Sequence, residues 1–189
     1  MNWIMVLILS FVAIILIVMI GYASSKNHSS SSINIKVQSS GDGGKHQAST
    51  LVLSCMDYRF INDTIKYLNQ HREGNFDYFV LAGASLGYNE SYEGDVKDWS
   101  NTYLSHVDLA IKLHGISELI VVDHMDCGYY KEIYGSAVDT SEKEERKHNF
   151  NLHKFKRLMR AKYPQLKCKL LLAYHDDNGT IKYKEIVDV

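Results

Sequence analysis

Two short apolar runs, each ending in side chains that bind metal, constrain this chain more than anything else in it. Thr50-Leu-Val-Leu-Ser54 leads into Cys55-Met-Asp57-Tyr-Arg59, and Glu118-Leu-Ile-Val-Val122 leads into Asp123-His124-Met-Asp126-Cys127-Gly128. Short β-branched runs of this kind read as buried strands, and open α/β sheets bind ligands at the carboxyl ends of such strands. His124 and Cys127 are close enough in sequence for one short loop to aim both at a single ion, with Cys55 arriving from a neighbouring strand. Two thiolates and one imidazole suit a borderline-soft cation such as zinc. A structural zinc site closes with four strong ligands, whereas a catalytic one keeps a position for water. Here the fourth candidate is the carboxylate of Asp57, with the fixed charge of Arg59 beside it. Any one of these residues alone would be read as a buried cysteine or a satisfied core histidine; together, at two strand ends, they favour a metal.

The rest of the pattern supplies a β/α alternation. Apolar positions Ile61, Ile65 and Leu68 have a helical period, Phe76–Leu81 reads as a strand, and residues 84–98 as a polar loop or short helix over the site. Leu104, Val107, Ala110, Ile111 and His114 define a second helix that Gly115 caps. Residues 131–140 carry no clear pattern. A helix beginning near Glu142 runs to Tyr163 and stops at Pro164, and its charges read as a solvated face. Strand Leu166–Tyr174 and the Asp177-Asn-Gly179 turn complete the order. The fold class expected is α/β, a mainly parallel central sheet flanked by helices.

At 189 residues, one globular domain is the economical reading, and a net charge of -1 gives no electrostatic footprint for nucleic acid. Trp3 to Gly21 is almost wholly apolar and uncharged; at about 1.5 Å per residue it matches the ~30 Å core of a bilayer. The expected organisation is a transmembrane anchor over residues 1–23, a flexible Ser/Gly-rich linker over 24–49 and a catalytic domain over 50–189. Lys26, Lys36 and Lys45 follow the segment, which places the domain on the cytoplasmic side of a single-pass membrane protein; secretion after signal cleavage is the rival.

The paired motifs Cys55-x-Asp57-x-Arg59 and His124-x-x-Cys127-Gly128, in this order and each after a core strand, resemble those of the β-class carbonic anhydrases. Ala82-Gly83 stands at the position of that family's Asn-Ala-Gly loop. Leu104–Gly115 resembles its helix before the metal-binding strand, and Leu170–Tyr183 its closing strand and hairpin. The resemblance implies a β-carbonic-anhydrase-like fold, Zn2+ held by Cys55, His124 and Cys127, a substrate pocket including Ala82, Gly83 and Gly128, and a homodimer or higher homo-oligomer. It also implies an enzyme, a zinc lyase that hydrates carbon dioxide reversibly to bicarbonate and a proton by a zinc-bound hydroxide. Asp57 would accept a hydrogen bond from that hydroxide, and Arg59 would keep Asp57 ionised and turned away from the metal. Alternatives are hydrolysis of carbon disulfide or carbonyl sulfide on the same fold, and a catalytically weak, membrane-tethered zinc protein. Val80-Leu81 departs from the Arg-Asn often found there. Asp126 is expected to orient its loop through backbone hydrogen bonds, and His114, His148, His153 and His175 to lie on the surface.

Overall fold

The computed structural model describes Trp3 and residues 46–71, 75–93 and 98–187. In chain order the elements are β1 (Thr50–Ser54), α1 (Tyr58–His71), β2 (Phe76–Val80), α2 (Ser85–Glu93), α3 (Trp99–His114), β3 (Glu118–His124), α4 (Gly128–Tyr134), a 3-10 turn (Gly135–Val138), α5 (Ser141–Lys162), β4 (Lys167–His175) and β5 (Ile181–Glu185). The strands form one sheet in the order β2-β1-β3-β4-β5. β1 to β4 are parallel and β5 returns antiparallel, so the mainly parallel α/β sheet expected from the sequence is the one found.

Side chains alternate across the pleat, and both faces are covered. Leu51 and Leu53 of β1, Leu119 and Val121 of β3, and Leu170 and Leu172 of β4 pack under α2, α3 and α5 through Tyr88, Tyr103, Val107, Leu152, Phe155 and Met159. Val52, Ile120, Val122, Leu171 and Ala173 face the other way, where α1 supplies Phe60 and Leu68. Two-sided burial is why the central strands read as unbroken apolar runs.

Local signals set the helix ends. α3 stops at Gly115, whose φ of 71° is left-handed and whose N–H reaches the Ile111 carbonyl. α5 starts next to the expected Glu142, where the Thr140 side chain accepts the Lys143 N–H as an N-cap. Residues expected to form a polar loop or short helix are the buried helix α2, with Leu86 and Asn89 inaccessible to solvent. The Asn89 amide donates to the carbonyl and side-chain oxygens of Asn151 at 2.9 and 3.0 Å. Gly87 lets α2 press onto the preceding turn, since a Cβ there would lie 2.2 Å from the Ala82 carbonyl oxygen.

The expectation of a single-pass membrane protein is corrected. Among the described residues no helix is long and apolar enough to cross a membrane; the longest, α5, carries charges from its first turn to its last. Apart from Trp3, the segment assigned to an anchor, and the assigned linker up to residue 45, lie outside the described residues.

A polar cluster around Asp123 interrupts the core. Asp123, in β3, accepts hydrogen bonds from the Ser85 N–H and hydroxyl (3.0 and 2.6 Å), the Tyr130 hydroxyl (2.6 Å) and His148 Nδ1 (3.0 Å). The other nitrogen of His148 lies 3.6 Å from Glu144. His148 is therefore not the surface histidine expected; it is 0% exposed. Burial resists charge on this imidazole, but its contacts with Asp123 and Glu144 outweigh burial and raise its pKa above the ordinary value. A raised histidine pKa adds stability that is fully present below the unfolded value of about 6.5 and is lost as pH rises through the folded value. In urea titrations between about pH 6 and about pH 9, the wild type should lose stability more steeply than His148→Gln. Parallel profiles would show that the buried imidazole is neutral.

Candidate metal centre

The ladder between β1 and β3 ends with Ser54 opposite Val122. Cys55 therefore leaves β1 beside the last two residues of β3, Asp123 and His124. From β1 the chain crosses to β2 on one side, while β3 lies on the other. This is a topological switch point, where crossover connections diverge and leave a crevice. The ligand atoms of Cys55, His124 and Cys127 all lie within 4.8 Å of one another, and all three residues are buried. The two sulfurs are 4.0 Å apart.

Each donor is aimed by a neighbour. His124 Nδ1 lies 2.9 Å from the Met125 carbonyl, an acceptor, so Nδ1 carries the proton and Nε2 keeps its lone pair. The ring is stacked on Phe60 with centroids 4.3 Å apart. Nε2 is buried and has no hydrogen-bond partner, an arrangement that is costly unless a further group satisfies it. Cys55 Sγ accepts the Gly83 N–H at 3.3 Å. Gly83 is left-handed, with φ of 67°, and a Cβ there would lie 2.6 Å from Tyr129 Cδ1. The Cys127 N–H donates to Glu144 at 3.0 Å. An orphaned imidazole nitrogen facing two sulfurs fits a divalent cation, and the sulfur and nitrogen donors fit zinc.

The two sulfurs are in hydrogen-bond contact and titrate as a pair. The contact with Cys127 outweighs burial and, with His124, lowers the pKa of Cys55. The same contact and burial push Cys127 well up. Burial opposes charge on His124, but the Cys55 sulfur more than offsets it and the net shift is upward.

Asp57 and Arg59 form the pair expected, at the mouth of the group. Asp57 Oδ2 is 3.9 Å from His124 Nε2. The backbone N–H of Arg59 donates to Asp57 Oδ1 at 3.0 Å, and its Nε and Nη2 hold the two carboxylate oxygens at 2.7 to 3.1 Å. These bonds keep the Asp57 carboxyl below the usual carboxylate range and raise the Arg59 pKa. The same guanidinium reaches Asp126, with Nη1 to Oδ2 at 2.7 Å and Nη2 to the carbonyl at 3.0 Å. Asp126 therefore binds side chains, not the backbone groups expected. It also pairs with Lys131.

The three proposed pocket residues are not equivalent. Gly83 touches Cys55, and Ala82 precedes it in the same turn. Gly128 opens α4 on the exposed side, where a Cβ would meet nothing within 4 Å, so close approach does not require glycine there. A cavity of about 10 Å³, room for one water-sized group, borders Cys55 and His124 and is lined by Ser54, Phe60, Thr64 and Tyr78. Behind the donors, Glu144 and His148 were missed from the sequence. Their signal was polar residues placed on the buried stripe of α5, with Asn151, Leu152, Phe155 and Met159.

Residues 45–181 match the sequence model of a family described as "Putative carbonic anhydrase". An uncharacterized protein of Rickettsia conorii is 35% identical over 156 residues, covering 80% of this chain and 82% of that protein. Another, from Rickettsia bellii, is 37% identical over 130 residues, covering 67% and 77%. Similar solved structures include the β-carbonic anhydrase CafA of Aspergillus fumigatus (13% identity, TM-score 0.48, covering 77% of this chain and 79% of that one). A β-carbonic anhydrase of Trichomonas vaginalis is also similar (17% identity, TM-score 0.48, covering 77% and 85%). By the match over most of its length, this chain belongs to that carbonic anhydrase family.

Proposed function

We propose that residues 50–189 catalyse the reversible hydration of carbon dioxide to bicarbonate and a proton, with zinc held by Cys55, His124 and Cys127. The observation that carries the reading is a trio of buried donors from two strand ends, within 4.8 Å of one another, beside a carboxylate that Arg59 holds apart from them. When bound, zinc supplies Lewis acidity that lowers the pKa of a water ligand to about 7, so that a nucleophile exists at neutral pH.

This chain's own residues do the aiming. Arg59 keeps Asp57 ionised, and an ionised carboxylate can only accept hydrogen bonds. Asp57 Oδ2, near His124 Nε2, would accept a hydrogen bond from the attacking oxygen and so turn its lone pair toward the carbon of carbon dioxide, while Asp57 itself stays ionised. Gly83 and Met125 hold a sulfur donor and the imidazole in place, so that the donors need little rearrangement during turnover. The Arg59 clasp weighs against the alternative in which Asp57 is a permanent fourth ligand.

Cys127→Ser should lose stoichiometric zinc by elemental analysis, while Arg59→Ala should retain it. In stopped-flow assays of carbon dioxide hydration, Arg59→Ala should fall by about a hundredfold or more. Zinc-loaded wild type without measurable hydration would overturn the activity, and undiminished turnover in Arg59→Ala would overturn the role given to the pair.

A further inference from the structure

The metal donors come from two loops on different strands, and the ladder between those strands ends at Ser54 and Val122. Beyond it, Arg59 ties the loops together through side chains. It grips Asp57 in the first loop, and both the carboxylate and the carbonyl of Asp126 in the second. Asp126 has a φ of 59°, a left-handed conformation uncommon for a residue with a side chain. Its carboxylate is shared between two cations, Oδ2 toward Arg59 and Oδ1 toward Lys131. The guanidinium is 36% exposed, so water competes for it, and Asp126 supplies its two contacts outside the first loop.

We infer that Asp126 is a positioning residue: it seats Arg59 so that Asp57 is held off the donor group, and Lys131 in turn seats Asp126. This rests on Cys55, His124 and Cys127 being a metal site. In the absence of the Asp126 charge, Arg59 is free to leave Asp57, and Asp57 Oδ2, 3.9 Å from His124 Nε2, is near enough to turn onto the ion.

Asp126→Asn removes the charge while keeping the shape, and asparagine tolerates the left-handed conformation. The test uses cobalt(II) in the full chain, because its visible spectrum reports the number and kind of ligands and does not depend on turnover. Asp126→Asn should shift the spectrum toward an added carboxylate ligand and slow release of cobalt to a chelator by roughly tenfold or more. Its zinc form should lose kcat with KM little changed. The double variant Asp57→Asn/Asp126→Asn should return both spectrum and release rate to wild-type values. A spectrum and release rate unchanged in Asp126→Asn would overturn the inference, as would a shift that persists in the double variant, since loop distortion would then be the cause. Should Asp126→Asn fail to fold, Lys131→Met, at an exposed side chain, carries the same expectation with a smaller shift. Wild type that binds no cobalt would instead overturn the metal site itself, and this inference with it.

Discussion

Parallel pairing of β1 with β3 brings together donors 72 residues apart in sequence. The register matters as much as the pairing. A slip by one residue would turn every β1 side chain to the opposite face, exchanging Leu53 for Val52 in the larger core and pointing Cys55 away from His124. The hydrophobic match of Leu51 and Leu53 with Leu119 and Val121 therefore stabilises the fold and also sets where the sulfur goes. The switch point supplies the remaining requirement, an opening at that edge of the sheet.

The loop from His124 to Cys127 is held from two sides. Behind it, in the core, Asp123 is anchored by Ser85, Tyr130 and His148, and Glu144 takes the Cys127 N–H. In front, at the solvent boundary, Asp126 is bound by Arg59 and Lys131. Buried charges are tolerable only where partners satisfy them. The rear cluster places an imidazole between two carboxylates, hydrogen-bonded to Asp123 and 3.6 Å from Glu144. The front cluster alternates its charges, Asp57, Arg59, Asp126, Lys131, so no group in it lacks a counter-charge.

The central strands were legible because burial on both faces leaves their middle residues apolar, and the donor trio because its residue types and their place after strands are local features. Asp57 with Arg59 was legible as a pair for the same reason. Asp126 was visible but misread: its partner Arg59 lies 67 residues away, and no local pattern announces a left-handed aspartate. Glu144 and His148 were lost among the charges at the start of α5, although their spacing with Leu152, Phe155 and Met159 places them on the inward stripe. α2 is the short helix among the two readings the sequence allows; its burial was not legible because Ser85, Asn89 and Ser91 look like loop residues, yet each finds a buried partner. The apolar start of the chain invited a membrane assignment, and no described helix supports one.

The two faces of the sheet are unequally insulated. Three helices seal one of them, while α1 covers the other through few buried side chains, chiefly Phe60, Thr64 and Leu68. Segments with fewer buried apolar contacts open at lower free energy than the whole molecule unfolds, so the amides of α1 exchange with solvent ahead of those of α3 and α5. Arg59 and Phe60 lie in its opening turn, directly after Cys55 and Asp57. Half of the site thus rides on a thinly anchored helix, and any cation gripped by all three donors would slow isotope exchange in α1 more than in α3 or α5.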